Sequence, residues 1–297
     1  MAKFFKGFFI TLLILIIVAA GVFIYTVAKL GADDPADILN GLKANNKSIT
    51  FLLMGADKLD INSEKNSRSD TMILFNYNYE TEKINLISIP RDSRVSINGK
   101  RHKEKLNHSF NYGGPELTLK TVNEMLGTNI PYYLAVDYDF VKDSVDAVGG
   151  VEVDVPMDMQ YTDEWDDPPL IIDLKQGLQT LDGNKAIGFL RFRHGYKDAD
   201  LGRVAAQRQF VESFIHTATT PRGLLGVPKI LDSYKLHTKT NIPFENLVEL
   251  GKNITRSDLS NIETLTLPGN PKYINRISYF IYDKEKSREL VRSLGIE

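Results

Sequence analysis

The run ITFLLM, residues 49–54, is almost uninterrupted by polar side chains and therefore predicts a buried central β-strand. Two β-rich runs follow it, TMILFNYNY at 71–79 and KINLISI at 83–89. The short Glu80-Thr81-Glu82 link between these runs predicts a hairpin. Helical and extended patterns are intermixed along the rest of the chain. This intermixing predicts the α/β class, with a central sheet covered by helices.

The later elements are predicted from periodicity and from the residues that begin or end them. Asn98-Gly99 is the strongest two-residue hairpin signal and lies between extended runs at 94–97 and from Lys100 onward. Gly127 ends a helical pattern at 115–126, and Asp200 is an N-cap candidate for a helix at 201–217. The remaining patterns predict strands at 130–136 and 151–155, and helices at 140–148, 182–190, 243–254 and 283–294.

Residues 8–28, FFITLLILIIVAAGVFIYTVA, contain no charged side chain. At about 1.5 Å per residue, a helix of this length spans the roughly 30 Å hydrocarbon core of a bilayer. Lys3 and Lys6 precede it, so the positive-inside rule leaves residues 1–7 as a cytoplasmic tail. A cleaved signal peptide is the alternative, with Ala19-Ala20-Gly21 resembling a cleavage site. Because the apolar run continues beyond that site, we predict an uncleaved transmembrane anchor.

The anchor predicts a single-pass protein of the cell membrane, with its N-terminus inside, a spacer at 29–48 and one extracytoplasmic domain at 49–297. Beyond Lys29 the chain has 33 basic side chains, the total of 36 less three, against 38 acidic ones. This negative balance argues against general binding of nucleic acid. The chain has no cysteine, which excludes disulfides, thiol nucleophiles and thiolate metal sites.

Two aspartates lie where the first predicted strand ends and the second begins. Gly55-Ala56-Asp57 closes the first strand and Arg68-Ser69-Asp70 opens the second. Ligands of α/β proteins collect beyond the carboxyl ends of strands. Two converging carboxylates there suit Mg²⁺, which takes one or two carboxylates together with substrate phosphates. The alternative is structural: Asp57 is a turn residue, and Asp70 pairs with Arg68 or with a backbone amide.

Two groups of arginines predict an anion site. Pro90 stiffens the exit of the strand at 83–89 and Arg91 emerges at its end, with a solvated turn as the alternative. Four of the thirteen arginines lie within residues 191–208. An extended conformation there puts Arg191 and Arg193 on one face. The spacing i, i+3, i+7 gives one helical face to Asp200, Arg203 and Gln207.

Guanidinium groups are planar and permanently charged, and they match phosphate oxygens with two parallel donors. In a chain of net charge −2, general basicity does not explain such a concentration. Surface salt bridges are the alternative, and they account for one or two of these arginines.

Seven segments, in this order, resemble the LytR-CpsA-Psr family of bacterial cell-envelope proteins. They are FLLMGAD (51–57), SRSDTMIL (67–74), LISIPRDSRV (86–95), KLNHSFNYGG (105–114), YLAVDYDFVKDSVDAVGGVEVDVP (133–156), LQTLDGNKAIGFLRFRH (178–194) and DLGRVAAQRQF (200–210). The resemblance implies a three-layer α/β/α sandwich with a central mixed sheet, behind one N-terminal transmembrane helix.

The resemblance also implies a phosphotransferase that moves wall teichoic acid or capsular polysaccharide from a polyprenyl-pyrophosphate carrier onto a peptidoglycan hydroxyl. By motif, Asp57 and Asp70 hold Mg²⁺, and Asp200 orients the arginines. The pyrophosphate is bound by Arg91, Arg191, Arg193, Arg203 and Gln207. Lys58 joins this set although related sequences often carry an arginine there. Either Asp92 or Asp70 accepts the proton of the sugar hydroxyl.

Two other functions compete with this ligase. The same site serves a lipid-pyrophosphate hydrolase if water replaces the sugar hydroxyl. A non-enzymatic, membrane-bound regulator of envelope genes is the third hypothesis, but residues 1–7 hold no DNA-binding element. We therefore predict a Mg²⁺-dependent ligase whose partners are the lipid-linked glycopolymer, peptidoglycan and the membrane.

Overall fold

A computed structural model describes residues 47–56, 69–164, 169–192, 220–254 and 262–296, together with 206, 209, 210, 213, 214 and 216–218. These residues divide into two compact units. We call residues 47–137 and 237–296 the sheet unit, and the described residues of Tyr138–Leu236 the hairpin unit. The prediction of a single domain at 49–297 stays a prediction.

The strands are β1 Ser48–Ala56, β2 Ser69–Asn78, β3 Ile84–Ser88, β4 Arg94–Val95, β5 Glu104–Lys105, β6 Tyr132–Val136, β7 Val151–Val155, β8 Met159–Asp163, β9 Leu170–Leu174, β10 Gly177–Leu181, β11 Thr238–Thr240, β12 Ile262–Thr266, β13 Gly269–Ile274 and β14 Ile277–Tyr282. The helices are α1 Asn107–Leu126, α2 Tyr138–Ala147, α3 Gly183–Arg191, α4 Pro221–Leu224, α5 Val227–His237, α6 Phe244–Ile254 and α7 Lys284–Ser293.

The sheet unit is built on six strands in the order β11-β6-β1-β2-β3-β12. β1 runs parallel to β6 and antiparallel to β2, and β3 runs antiparallel to β2 and parallel to β12. The sheet is therefore mixed, as predicted. The run at 49–54 is confirmed as an interior strand, and all five residues of β3 are buried. The predicted β2–β3 hairpin is also confirmed.

Helix α1 packs on the sheet and on α7, around a core that includes Leu52, Met54 and Val122. Gly127 ends α1 in the left-handed region (φ 71°) and donates its N–H to the Asn123 carbonyl, which confirms the predicted C-cap. The helix begins earlier than predicted, at Asn107, and non-helical angles at Gly113 and Gly114 kink it. The predicted helices at 243–254 and 283–294 are confirmed as α6 and α7.

Two small hairpins belong to the same unit. β4 pairs with β5, and β13 pairs with β14. Asn98-Gly99 forms a turn in which the Lys100 N–H donates to the Ile97 carbonyl and Gly99 has φ 81°. The flanking strands are shorter than predicted, because pairing begins only at Val95 and Glu104.

The hairpin unit contains the pairs β7–β10 and β8–β9 together with α2, α3 and α4. β7 alternates buried valines with exposed acids, the pattern of a half-buried strand. Asp182 caps α3 by accepting from the Lys185 N–H (2.8 Å). The described residues between 206 and 218 are helical, in line with the helix predicted at 201–217, and Phe210 packs against Phe189 of α3.

No helix within the described ranges is both long and apolar enough to cross a bilayer. The predicted tail at 1–7, the anchor at 8–28 and the spacer up to residue 46 lie outside the described residues.

Candidate functional site

One edge of the six-stranded sheet collects the chain segments that the sequence singled out. β1, β3 and β6 run in the same direction, so their carboxyl ends meet at this edge. Gly55 pairs with Thr71, but Ala56 pairs with Ser69, so a bulge leaves Asp70 between the two pairs. Asp57 follows Ala56 in the sequence. The backbone thus brings the metal-binding candidate Asp70 to the end of β1.

Arg91 stands on a turn at the same edge. The Ile89 N–H donates to the Met72 carbonyl (2.9 Å), which carries the β2–β3 ladder one step beyond Ser88. Arg91 is two residues beyond Ile89, and Asp70 is two residues before Met72. Register therefore places both residues at the ends of adjoining strands.

Main-chain hydrogen bonds from two other segments hold the turn at residues 90–94, which we call the PRDSR turn. The Asn107 N–H donates to the Arg91 carbonyl (3.1 Å), and the Phe280 N–H donates to the Asp92 carbonyl (2.9 Å). The Leu106 N–H donates to the carbonyl of Ser93 (2.9 Å), a residue that is fully buried. Each of these bonds restricts the backbone, so the main chain from which the Arg91 side chain projects is held in place.

The carboxylate of Asp92 engages a lysine. Its Oδ1 lies 2.8 Å from Nζ of Lys105, with both side chains partly exposed. Lys105 lies in β5, opposite Arg94 of β4. The predicted catalytic residue Asp92 is thus an ion-pair partner of the segment that clamps the turn.

The segment KLNHSFNYGG forms a polar cluster beside this turn. Glu104 Oε2 accepts a hydrogen bond from the Tyr112 hydroxyl (2.6 Å) and lies 2.9 Å from His108 Nδ1. The hydrogen bond from Tyr112, with the one from His108, lowers the pKa of Glu104. The Lys100 ammonium lies 3.4 Å from the centroid of the Tyr112 ring. The cluster keeps the segment in one conformation.

Arg191 belongs to the hairpin unit, where the predicted helix at 182–190 is confirmed as α3. Arg191 is the last residue of α3, so the extended conformation considered for 191–193 does not hold there, and Phe192, which follows the helix, is extended. The apolar residues Ala186, Phe189 and Leu190 are buried, and their spacing carries the helix to Arg191. The guanidinium lies over the Tyr138 ring, 4.9 Å from its centroid. The positive charge of Arg191 also interacts favourably with the partial negative charge at the C-terminal end of the helix.

The other predicted site residues lie outside the described residues: Asp57, Lys58, Arg193, Asp200, Arg203 and Gln207. Their predicted roles, like those of Asp70, Arg91, Asp92 and Arg191, stay predictions.

One pair at the same sheet edge was missed. Asp137 follows β6 and is buried, and its Oδ2 lies 3.1 Å from Nδ1 of His237. The two residues also join through the main chain, since the Asp137 N–H donates to the His237 carbonyl. The direction of β6 was the available signal, because the rule that singled out Asp57 applies to every parallel strand end. No local sequence pattern indicated His237, which lies one hundred residues after Asp137 in the chain.

Comparison with known proteins identifies relatives over most of the chain. The sequence model of the LytR_cpsA_psr family matches residues 24–295. The Bacillus anthracis protein named polyisoprenyl-teichoic acid–peptidoglycan teichoic acid transferase TagU is 30% identical over 252 residues, 84% of this chain and 79% of the relative. The protein of the same name from Oceanobacillus iheyensis is 32% identical over 254 residues, 84% of this chain and 75% of the relative.

Solved structures agree with this relationship. B. subtilis TagV has a TM-score of 0.61 and 28% identity, covering 84% of this chain and 97% of its own. A structure described as TagT bound to LIIa-WTA has a TM-score of 0.58 and 27% identity, covering 85% of this chain and 92% of its own. With a family match over nearly the whole chain and a mixed sheet of the same fold, this chain belongs to the LytR-CpsA-Psr family.

Proposed function

We propose that this protein transfers an anionic glycopolymer, wall teichoic acid or capsular polysaccharide, from a polyprenyl-pyrophosphate carrier onto a peptidoglycan hydroxyl. The names of its relatives support teichoic acid as the transferred polymer and peptidoglycan as the acceptor. The reaction takes place at the outer face of the cell membrane, where the predicted anchor holds the catalytic domain.

The observation that carries the proposal is the meeting of Asp70 and Arg91 at the ends of adjoining strands. Phosphoryl transfer depends on positioning and on neutralising oxygen charge, and little covalent chemistry is left to the protein. An arginine on a held main-chain turn and an aspartate at the end of the adjoining strand are residue types that can supply both. From the family motifs we infer that Arg91 binds the pyrophosphate with Arg191, Arg193, Arg203, Gln207 and Lys58, and that Asp200 orients the arginines.

The residues at this edge fit Mg²⁺. The donors are oxygens: the carboxylate of Asp70, that of Asp57 next to Ala56 in the sequence, and the Thr71 hydroxyl. Thr71 Oγ1 is buried and has no hydrogen-bond partner among the described residues. Oxygen donors from one or two carboxylates are what Mg²⁺ takes beside substrate phosphates. A bound Mg²⁺ would withdraw charge from the phosphate oxygens, while Asp57 and Asp70 hold it in place.

The acceptor hydroxyl must lose a proton as it attacks phosphorus. A carboxylate of this sheet edge, Asp92 or Asp70, takes that proton. The polyprenyl phosphate then leaves with the electron pair of the broken P–O bond. Arginines that stay charged throughout stabilise the departing phosphate.

The test uses the full chain in a bilayer with lipid-linked teichoic acid, peptidoglycan oligomers and Mg²⁺. A phosphodiester-linked adduct of glycan and peptidoglycan is expected, and chelation of divalent cations should abolish it. Arg91→Ala should slow transfer by roughly 10²–10³-fold, the usual loss when one stabilising donor is removed. Arg101→Ala, an exposed arginine on the loop between β4 and β5, should leave transfer unchanged.

Product analysis decides between the competing reactions. Free glycan phosphate without an adduct would assign a hydrolase. Tight binding of the lipid donor with no reaction on any envelope donor would refute the transferase and favour a binding protein.

A further inference from the structure

The β13–β14 hairpin exposes large apolar side chains at one end of the sheet unit. Tyr273 is 75% exposed, Ile277 is 47% exposed and Ile281 is 36% exposed. Single exposed apolar residues are common on soluble proteins, but here three lie on one hairpin, Ile277 and Ile281 on one face and Tyr273 on the other, and we call these three residues the patch.

The charge of the hairpin has one sign. Residues 269–282, GNPKYINRISYFIY, carry Lys272 and Arg276 and no acidic side chain. The chain as a whole is negative, so this segment departs from its surroundings. A partner for the patch must therefore combine apolar and anionic groups.

The tip of the hairpin is tightly built. Ile274 pairs with Ile277, and the two residues between them, Asn275 and Arg276, have φ of 49° and 66°. Two successive residues with positive φ define the type I′ turn, whose twist matches that of the paired strands. The register puts Ile274, Ile277 and Ile281 on the same face of the hairpin.

We propose that this hairpin docks on the surface of a lipid bilayer with anionic headgroups. Tyrosine is favoured at the level of the headgroups, where its ring is buried and its hydroxyl stays hydrated. The isoleucines enter the boundary between headgroups and acyl chains, and Lys272 and Arg276 attract the anionic lipids. A soluble acidic protein would cover one face of the hairpin, whereas a bilayer that surrounds the tip contacts the isoleucines on one face and Tyr273 on the other.

The base of the hairpin is tied to the PRDSR turn. The Phe280 N–H donates to the Asp92 carbonyl, Ser93 forms a bridge with Phe280, and the Arg94 guanidinium lies 5.6 Å from the Tyr279 ring centroid. Docking of the tip thereby sets the height of Arg91 above the bilayer. This consequence rests on the proposed function, whereas the docking itself does not.

The test exploits the absence of cysteine from the chain. Tyr273→Cys and Ile277→Cys each create a single attachment point for an environment-sensitive fluorophore in the full chain. Thr81→Cys, in the exposed turn between β2 and β3, is the matched control. The labelled chains are placed in bilayers of equal parts phosphatidylglycerol and phosphatidylcholine, with and without lipids that carry a spin-label quencher.

Labels at 273 and 277 should shift to shorter emission wavelength and be quenched, and the label at 81 should do neither. Lys272→Gln and Arg276→Gln should each lower the docked-to-undocked ratio about fivefold, the effect of one basic residue near an anionic surface. Pure phosphatidylcholine should lower it at least as much.

The inference is overturned if labels at 273 and 277 behave like the label at 81 in every bilayer. If the labels at 273 and 277 shift to shorter emission wavelength only after peptidoglycan fragments are added, the patch binds that polymer, and the inference is likewise overturned. A label at Ile14→Cys reports separately on the predicted anchor. Transfer assays on the same variants separate a failure of docking from a failure of the proposed transferase.

Discussion

Arg91 shows how a single side chain is positioned by residues far along the chain. Its carbonyl is held by Asn107, the next carbonyl by Phe280, and the neighbouring Asp92 carboxylate by Lys105. None of these groups needs to touch the substrate. Their effect is that the main chain at Arg91 is already ordered before the proposed pyrophosphate ligand binds, which lowers the entropic cost of binding.

The ion pair between Asp92 and Lys105 leads to a prediction about what Asp92 does in the proposed reaction. If Asp92 acts by bracing the turn, Asp92→Asn and Lys105→Met should slow transfer to a similar extent, and the double variant should be no slower than either. Because the pair is partly exposed, the free energy of unfolding should change by only about 0–1 kcal/mol. Lys105→Arg should retain most activity.

Steady-state kinetics across pH, with denaturant unfolding of the same variants, checks this prediction. If Asp92 is instead the proton acceptor, Asp92→Asn alone should lose the acidic limb of the rate profile, while Lys105→Met keeps it.

Two phenols, the buried Tyr133 and the half-buried Tyr79, make stability sensitive to alkali. Burial, with added repulsion from Glu249, raises the pKa of Tyr79, and burial together with the hydrogen bond to Glu116 raises the pKa of Tyr133. Each folded pKa lies above the unfolded value near 10. The resulting stabilisation is complete below about pH 10 and is lost as pH rises toward the folded pKa.

Unfolding should therefore become easier above about pH 10, and Tyr79→Phe should flatten that decline. Tyr273→Phe, at an exposed phenol, is the control and should leave the pH dependence as it is in the wild type. Thermal unfolding between pH 8 and 11.5 provides the measurement. If stability falls above about pH 10 as steeply in Tyr79→Phe as in the wild type, Tyr79 is not a source of the alkaline sensitivity.

At the scale of elements, a row of polar side chains crosses three buried strands. Asn85 Nδ2 donates to Asn76 Oδ1 (3.0 Å), and Asn76 Nδ2 donates to Thr50 Oγ1 (2.9 Å). Asn76 pairs in register with both neighbours, Thr50 on β1 and Asn85 on β3. A slip of one residue would turn these side chains to opposite faces and leave them unpaired, so the row selects one register.

Asn76→Leu should lower the free energy of unfolding by roughly 2–4 kcal/mol, because it leaves polar groups of both Asn85 and Thr50 without partners inside the sheet. The triple variant Thr50→Val, Asn76→Leu, Asn85→Leu should recover much of that loss, since no orphaned group remains. Urea unfolding of the two variants distinguishes the outcomes. Equal losses in both would mean that packing, and not hydrogen bonding, sets the cost.

At the scale of the whole molecule, the charges and the apolar segments are separated along the chain. Acidic side chains exceed basic ones beyond Lys29, while Lys272 and Arg276 form a purely basic hairpin. At about 1 kcal/mol per basic residue near an anionic surface, the hairpin alone binds a bilayer weakly. The predicted spanning helix, 21 residues without a charged side chain, should hold far more strongly. The predicted anchor should therefore determine that the protein is at the membrane, and the β13–β14 hairpin should determine how the domain is oriented there.

Removal of residues 1–28 should release the protein from the membrane fraction, provided that a cleavable export signal replaces them. The full chain should resist washing with high salt, which screens surface charge but does not extract a spanning helix. Protease added outside intact spheroplasts should digest the domain at 49–297. Retention of the truncated chain in the membrane fraction would refute the predicted anchor.

The sequence predicted individual elements well where the deciding forces act between near neighbours. The apolar run at 49–54 and the left-handed glycine at 127 each depend on a few adjacent residues. At Arg191 the extended conformation considered for 191–193 does not hold, because the buried residues Ala186, Phe189 and Leu190 continue the predicted helix at 182–190 one residue further.

The amino-acid sequence by itself determined the α/β class, the family, the candidate Asp and Arg residues and the apolar segment at 8–28. Tertiary structure alone decided which of these residues meet. It set the bulge that places Asp70 beside Ala56, the clamp on Arg91, the ion pair of Asp92 with Lys105, and the contact of Asp137 with His237. The physical reason is range: propensities and caps act within a few residues, whereas strand register joins segments that lie far apart along the chain and have no local signal for each other.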